Sequence, residues 1–208
     1  MIYKTIAKPT LDFVISFIAV LILSPIIIIF TILLLIANNG KPFFLQKRPG
    51  KNKKIFNIIK FKTMTDKKDS NGKLLPDSDR ITSIGTFVRK ASIDEIPQLF
   101  NVLKGDMSII GPRPLLPQYL PYYTAEEQKR HNVKPGITGL AQVNGRNFLD
   151  WIPRLKLDVE YVNTVSLKVD FSILIKTIYK VVASKDISVD ATKSQPYLDE
   201  LRKNQVIN

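Results

Sequence analysis

Residues 20–29 read VLILSPIIII, and the Ser24-Pro25 pair at their centre decides how the N-terminal part of the chain is drawn. Around it, the run from Leu11 to Ala37 carries one charge, Asp12, near its start. A run of this length reaches that of a membrane helix. It is too long for the apolar core of a secretion signal, and no small-residue cleavage pattern follows it. Pro25 has no N–H to offer the Leu21 carbonyl and crowds it, so a bend is expected there. The Ser24 hydroxyl can satisfy part of the freed backbone. Each arm then holds about 13 residues, or about 20 Å at helical rise. That is short of a hydrocarbon core of roughly 30 Å.

Three arrangements compete: a kinked single span, a buried core helix, and a re-entrant hairpin that enters one leaflet and returns. Lys4 and Lys8 flank the run on one side, and Lys41, Lys47, Arg48, Lys51, Lys53 and Lys54 on the other. Basic flanks favour the cytoplasmic face. Both flanks are basic, so both prefer the same side, and the hairpin is favoured, with Ser24-Pro25 as its turning point. The expected organisation is a re-entrant membrane helix over 1–37, a catalytic domain over 38–184 and a polar, frayed tail over 185–208.

The rest of the chain is strongly basic. Lys and Arg number 31 against 18 Asp and Glu, a net charge of +13, which points to an anionic partner. Because the basic residues crowd beside the apolar run, anionic lipid headgroups fit better than nucleic acid. With no cysteine, disulfides and thiolate metal sites are excluded. His131 is the only histidine, which excludes a multi-histidine metal site. It reads as a surface residue of no special role.

After the breaker Asn38-Asn39-Gly40, Pro49-Gly50 reads as a turn between two short β-prone runs. In the second, Lys60 and Lys62 share a face, either as a solvated basic edge or as cations aimed at phosphate. Residues 66–80 read as a polar loop. Ser92-x-x-Glu95 has the form of a capping box, with Pro97 one turn inside and Gly105 closing the helix, which can equally begin near Pro97. On either reading Asp94 and Glu95 lie at a helix N-terminus, where a carboxylate stays ionised. Thr124-x-x-Glu127 forms a second capping box. The glycines of 134–146 allow close approach of the chain to a ligand. Trp151, Leu155, Val159 and Val162 keep a helical period, as do Phe171, Leu174, Ile175 and Ile178; Lys176 and Lys180 share another face of the latter. These are core helices or amphipathic helices at the headgroup layer.

Asp94 and Glu95 among the cations Lys60, Arg89, Arg113 and Arg146 suggest attack on a phosphoryl group. Aspartate can act as the nucleophile and form an acyl phosphate, arginines spread the developing charge, and Mg²⁺ suits a site of carboxylate and substrate oxygens. A glycosidase fits less well, because its two carboxylates must flank the scissile bond.

Three stretches, RPGKNKKIFNIIKFKTM (48–64), DEIPQLFNVLKGDMSIIGPRPLL (94–116) and KPGITGLAQVNGR (134–146), resemble the signatures of bacterial sugar transferases. More narrowly, the chain resembles the small monotopic polyprenyl-phosphate phosphoglycosyl transferases, including those that start bacterial protein N-glycosylation. The resemblance implies an α+β, mainly helical fold. A re-entrant membrane helix-hairpin, a small β-hairpin and amphipathic interfacial helices would surround one catalytic domain on the cytoplasmic face of the bacterial inner membrane. It implies transfer of a phospho-sugar from a UDP-sugar to undecaprenyl phosphate, with UMP released and Mg²⁺ held at Asp94. Asp94 matches the nucleophile of the family's Asp-Glu dyad and Glu95 its second member. Arg89 and Lys60 match positions beside the dyad, Arg113 belongs to a Gly-Pro-Arg-Pro motif, and Arg146 ends an Asn-Gly-Arg motif. Ser24-Pro25 matches the family's membrane-helix break. Leu140 stands where relatives often carry tryptophan. The chain lacks the N-terminal membrane bundle of larger relatives and is expected to act as a minimal catalytic unit. The rival class is a non-enzymatic basic membrane-binding module, which would leave the Asp-Glu/Arg cluster idle.

Overall fold

The computed structural model of the chain describes residues 2–145, 149–182 and 196–203. A short π-helical stretch, Tyr3–Ala7, leads into helix α1, Lys8–Ala37. Pro9 lies in its first turn, where a missing N–H costs nothing. Pro25 lies inside the helix, and the two arms expected around it share one helical hydrogen-bond pattern. The repair is local. Ser24 Oγ donates to the Leu21 carbonyl at 2.8 Å, the acceptor that the proline strands. By length and composition this helix is able to cross a membrane.

One narrow face of α1 is buried. Asp12, Ser16, Ile27 and Leu34 are hidden, and Leu23 and Phe30 pack beside them. Their spacing of three or four residues, or multiples of it, continues across Pro25 without changing face. The rest of the circumference is exposed and apolar; Ile22 and Ile36 are each 70% exposed. Both ends are tied to the body. At the start, Asp12 accepts from Ser108 Oγ at 2.6 Å and from the Ile109 N–H at 3.2 Å. Lys8 Nζ and Tyr3 OH reach Asp170 at 2.8 and 2.6 Å, and Tyr161 OH donates to the same carboxylate. At the far end, Asn38 Nδ2 donates to the Lys62 carbonyl at 2.7 Å, and Leu34 packs with Phe61 and Val88.

Strands β1 (Phe43–Pro49) and β2 (Ile55–Phe61) form the expected antiparallel hairpin. Its turn, Gly50 to Lys54, carries Asn52 and Lys53 at positive φ. Helices α2 (Asp77–Arg80) and α3 (Ser83–Lys90) follow, so part of the polar 66–80 stretch is ordered into a helical turn. Thr82 caps α3 through the Gly85 N–H. A 3₁₀ turn, Ile93–Glu95, precedes α4 (Gln98–Leu103), whose N-cap is Pro97. Gly105, at φ +83°, ends α4 as expected.

Strand β3 (Ser108–Ile110) pairs in parallel with β4 (Gly136–Thr138). Here two of the glycines bring chain against chain. A Cβ on Gly136 would lie 2.1 Å from Gly111 N, and one on Gly139 2.1 Å from Gly111 O. The close approach is of chain to chain, and it locks the segment of Arg113 against residues 134–139. The Thr124 capping box is formed and opens α5, Ala125–Gln128. Helices α6 (Leu140–Gly145), α7 (Trp151–Thr164) and α8 (Leu167–Val182) complete the body. Leu140 packs beside Tyr161 and Val165.

Four readings are decided or changed. The periodic face of α7 is core, since Trp151, Leu155, Val159 and Val162 are all buried. That of α8 splits: Leu174 packs inward beside the buried Ile173, while Phe171, Ile175 and Ile178 are 61%, 52% and 56% exposed. The tail is not simply frayed. Helix α9, Leu198–Leu201, buries Leu198 against Tyr119, Tyr123, Trp151 and Leu155. Arg202 grips Glu127 through two hydrogen bonds of 2.6 and 2.8 Å. His131 is also not a surface residue. It is 4% exposed, its Nδ1 lies 3.3 Å from the Gly50 carbonyl, and burial followed by the Arg130 charge lowers its pKa to about 4.

Candidate active site

Three elements meet at the dyad. Strand β2 supplies Lys60, the 3₁₀ turn supplies Asp94 and Glu95, and the segment after β3 supplies Arg113. Lys60 Nζ lies 2.7 Å from Glu95 Oε1 and 3.8 Å from Asp94 Oδ2. Arg113 Nη2 lies 2.7 Å from the same Glu95 oxygen. Glu95 is thus clamped between two cations. Among the described residues, none donates a hydrogen bond to Asp94.

The Ser92 capping box is absent. Ser92 adopts a left-handed conformation, φ +56°, and makes no side-chain cap. An N-cap residue needs extended backbone to aim its oxygen at the turn, and Glu95 has two cations to bind instead. The helix-terminus effect expected to favour the Asp94 carboxylate is outweighed. Burial raises its pKa, Lys60 opposes that, the neighbouring Glu95 charge adds to it, and the net direction is upward. The reason is that one 3₁₀ turn supplies little dipole, whereas desolvation and a like charge act directly. Glu95 goes the other way. Burial alone would raise it, but Arg113 and Lys60 outweigh this and hold it well below the usual carboxylate range. Two adjacent carboxyls with pKa values pushed apart are suited to different tasks.

Arg89 joins the site less directly. Its Nε donates to Thr63 Oγ1 at 2.9 Å, and it acts on Asp94 as a charge through space. Arg146 lies outside the described residues. Lys62 separates from Lys60 and pairs with Asp66 instead.

Other residues support the site that the sequence did not single out. Arg130 and Asp158 form an ion pair at 2.8 Å with both side chains 2% exposed. Arg130 Nη2 also donates to the Arg113 carbonyl at 2.6 Å, so a buried pair fixes the backbone of the clamp. A signal was present: position 158 falls on the buried face of α7 between Leu155 and Val162, where a lone carboxylate requires a partner. Arg48 is a further half-buried cation near Arg113. Burial and the Arg113 charge lower its pKa to about 10.

Among the described residues no group of three or more metal-ligating side chains exists. The protein ligand that could hold an ion at the dyad is a single carboxylate, Asp94. That fits Mg²⁺, which takes one or two carboxylates and completes its shell with water and substrate phosphate.

A family model for bacterial sugar transferases matches residues 3–184, a range that includes the dyad, its cations and helix α1. The chain belongs to the bacterial sugar transferase family. This sugar transferase is 54% identical over 163 residues to the uncharacterized sugar transferase EpsL of Bacillus subtilis, a match covering 78% of the chain and 81% of that relative. It is 38% identical over 196 residues to the undecaprenyl-phosphate galactose phosphotransferase of Salmonella typhimurium, covering 86% of the chain and 41% of the relative. It is 36% identical over 196 residues to the UDP-glucose:undecaprenyl-phosphate glucose-1-phosphate transferase of Xanthomonas campestris pv. campestris, covering 88% and 40%. The sugar transferase thus spans about two-fifths of the length of these last two relatives. Family membership makes it a transferase and removes the reading as a non-enzymatic binding module.

Proposed function

We propose that this sugar transferase moves a phospho-sugar from a UDP-sugar to undecaprenyl phosphate, releasing UMP. The observation that carries the proposal is the contrast within the dyad. Glu95 is held by Lys60 and Arg113, while Asp94 beside it has no hydrogen-bond donor among the described residues and is open to react. The Asp94 carboxylate oxygen attacks the phosphorus that bears the sugar. The bond from that phosphorus to the bridging oxygen breaks, and UMP leaves with the electron pair. A phosphate oxygen of the lipid then attacks the acyl phosphate. The bond between phosphorus and the Asp94 oxygen breaks, which restores the carboxylate and leaves a polyprenyl diphosphate sugar. Arg113, Lys60 and Arg89 bring positive charge to the transferring group, and Arg48 extends that charge along the clamp. Mg²⁺, held through Asp94, would neutralise diphosphate charge.

The acceptor lies at the headgroup plane, so the dyad must lie there too. We read α1 as a re-entrant anchor in one leaflet of the cytoplasmic membrane, with the site on the cytoplasmic face. Attachment of its two ends to one body supports this. The exposed apolar residues of α8 support an interfacial placement beside α1.

The test is a trap. Protein incubated with a UDP-sugar labelled in the sugar phosphate, and no acceptor, is expected to retain label on residue 94 and release UMP. Asp94→Asn is expected to retain none. Label elsewhere, or turnover by the variant near the wild-type rate, refutes the assignment.

A further inference from the structure

Away from the dyad, an open cleft of about 390 Å³ lies where α1 ends. Asn38, Lys41, Lys62, Thr65, Asp66 and Lys67 line it. Three cations face one carboxylate, a local excess of positive charge. Lys62 pairs with Asp66, Lys41 Nζ lies 4.0 Å from the same carboxylate, and Arg80 acts on it from the edge.

Two polar atoms in this wall are buried without a partner: Asn38 Oδ1 and Thr65 Oγ1. Asn38 is 6% exposed, and its Nδ2 is already committed to the Lys62 carbonyl. A buried acceptor with no donor is costly unless something supplies one. The cleft therefore offers cations for a phosphodiester and acceptors for hydroxyl groups on the same ligand.

Its surroundings indicate where that ligand comes from. Ile36 and Phe43, within two residues of its lining, are 70% and 39% exposed. Apolar surface of this kind next to a polar pocket suits acyl chains under a headgroup. We propose that the cleft binds the headgroup of an anionic, hydroxyl-bearing glycerophospholipid, of the phosphatidylglycerol class. The lysines take the phosphodiester, and Asn38 and Thr65 take the glycerol hydroxyls. This lipid is neither substrate nor product. It registers the end of α1 against the headgroup layer, in keeping with the membrane placement proposed above.

The test uses the full chain in detergent micelles. Native mass spectrometry counts lipid retained during titration with dioleoyl-phosphatidylglycerol, dioleoyl-phosphatidic acid or dioleoyl-phosphatidylcholine. The wild type is expected to keep one phosphatidylglycerol per chain, in preference to the other two. Lys41→Gln with Lys67→Gln should weaken retention about thirtyfold, from about 1 kcal/mol for each lysine. The same change at Lys51 and Lys54, outside the cleft, should leave it unaltered. Thr65→Val should erase the preference over phosphatidic acid. Equal retention of all three lipids, or no loss in the lysine variant, overturns the proposal. So does full displacement by inorganic phosphate at millimolar concentration, which marks a simple phosphate site. UMP release measured on the same samples separates the two readings. The Lys41/Lys67 variant is expected to turn over normally in detergent, and failure of the wild type to retain lipid while it still releases UMP sinks the lipid site alone.

Discussion

Replacing Asp158 by leucine strands a guanidinium in the interior. Arg130 and Asp158 are each 2% exposed at the side chain. Arg130 donates to Asp158 from Nε and Nη2 at 3.1 and 2.8 Å and to the Arg113 carbonyl at 2.6 Å. Breaking a buried pair from one side costs about 3–5 kcal/mol, because the remaining charge is left uncompensated. At roughly 2–4 °C per kcal/mol for a chain of this size, Asp158→Leu should lower Tm by about 6–20 °C. The double variant Arg130→Met/Asp158→Leu removes both charges. It should recover most of that loss, since apolar replacement of a whole buried pair is close to neutral. Activity should not recover with it. Without Arg130 the Arg113 carbonyl loses its donor, and Arg113 loosens on Glu95. The measurements are thermal unfolding in detergent and UMP release at saturating and limiting donor, on both variants. Two results would refute the reasoning. A double variant as unstable as Asp158→Leu would show that desolvation does not govern the pair. A stable double variant with wild-type turnover would show that Arg130 does not position Arg113.

Asp94→Asn should abolish turnover while the protein still sediments with membranes, because α1 is untouched; activity within a few-fold of wild type would disprove the nucleophile. The depressed Glu95 pKa means that its contribution to stability is present above the ordinary value of 4.5 and is lost as pH falls through the lower folded value. Unfolding of wild type and Glu95→Gln, followed from pH 7 downward, should show a stability difference that is flat above about pH 5 and changes only in stronger acid. His131 is held neutral, with its pKa lowered from 6.5 to about 4. Its contribution is present above 6.5 and lost as pH falls toward 4, roughly 3 kcal/mol in all; His131→Phe should remove that dependence from the urea midpoint. The chain has no cysteine, so single cysteines at positions 2 and 54 can be labelled cleanly. A membrane-impermeant maleimide should reach both only from the cytoplasmic side, and labelling of residue 2 from outside would exclude the re-entrant anchor.

Much of the site was legible because it is local. The dyad is two adjacent residues, and the paired β-hairpin, the Thr124 cap and the Gly105 stop are read from spacings of a few residues. Lys60 and Arg113 were legible as cations, but not as the two jaws on Glu95. The false capping box shows why. Ser92 and Glu95 have the right spacing, yet the chain enters the turn with Ser92 left-handed, and two cations from distant segments capture the glutamate. The Gly111 contact of Gly136 and Gly139 was likewise hidden, because Gly111 is more than twenty residues away in sequence.

The amino-acid order alone determined the β-hairpin, the helices that carry Trp151 and Phe171, where the long apolar run lies and which two carboxylates stand together. Those properties follow from backbone sterics and from side-chain periodicity within a few residues. The tertiary structure decided which face of α8 is left bare, that the end of the tail docks on Trp151, and that Glu95 is clamped while Asp94 is raised and open. Burial and charge act through space, so the ionisation of each carboxyl depends on groups that folding brings from far along the chain.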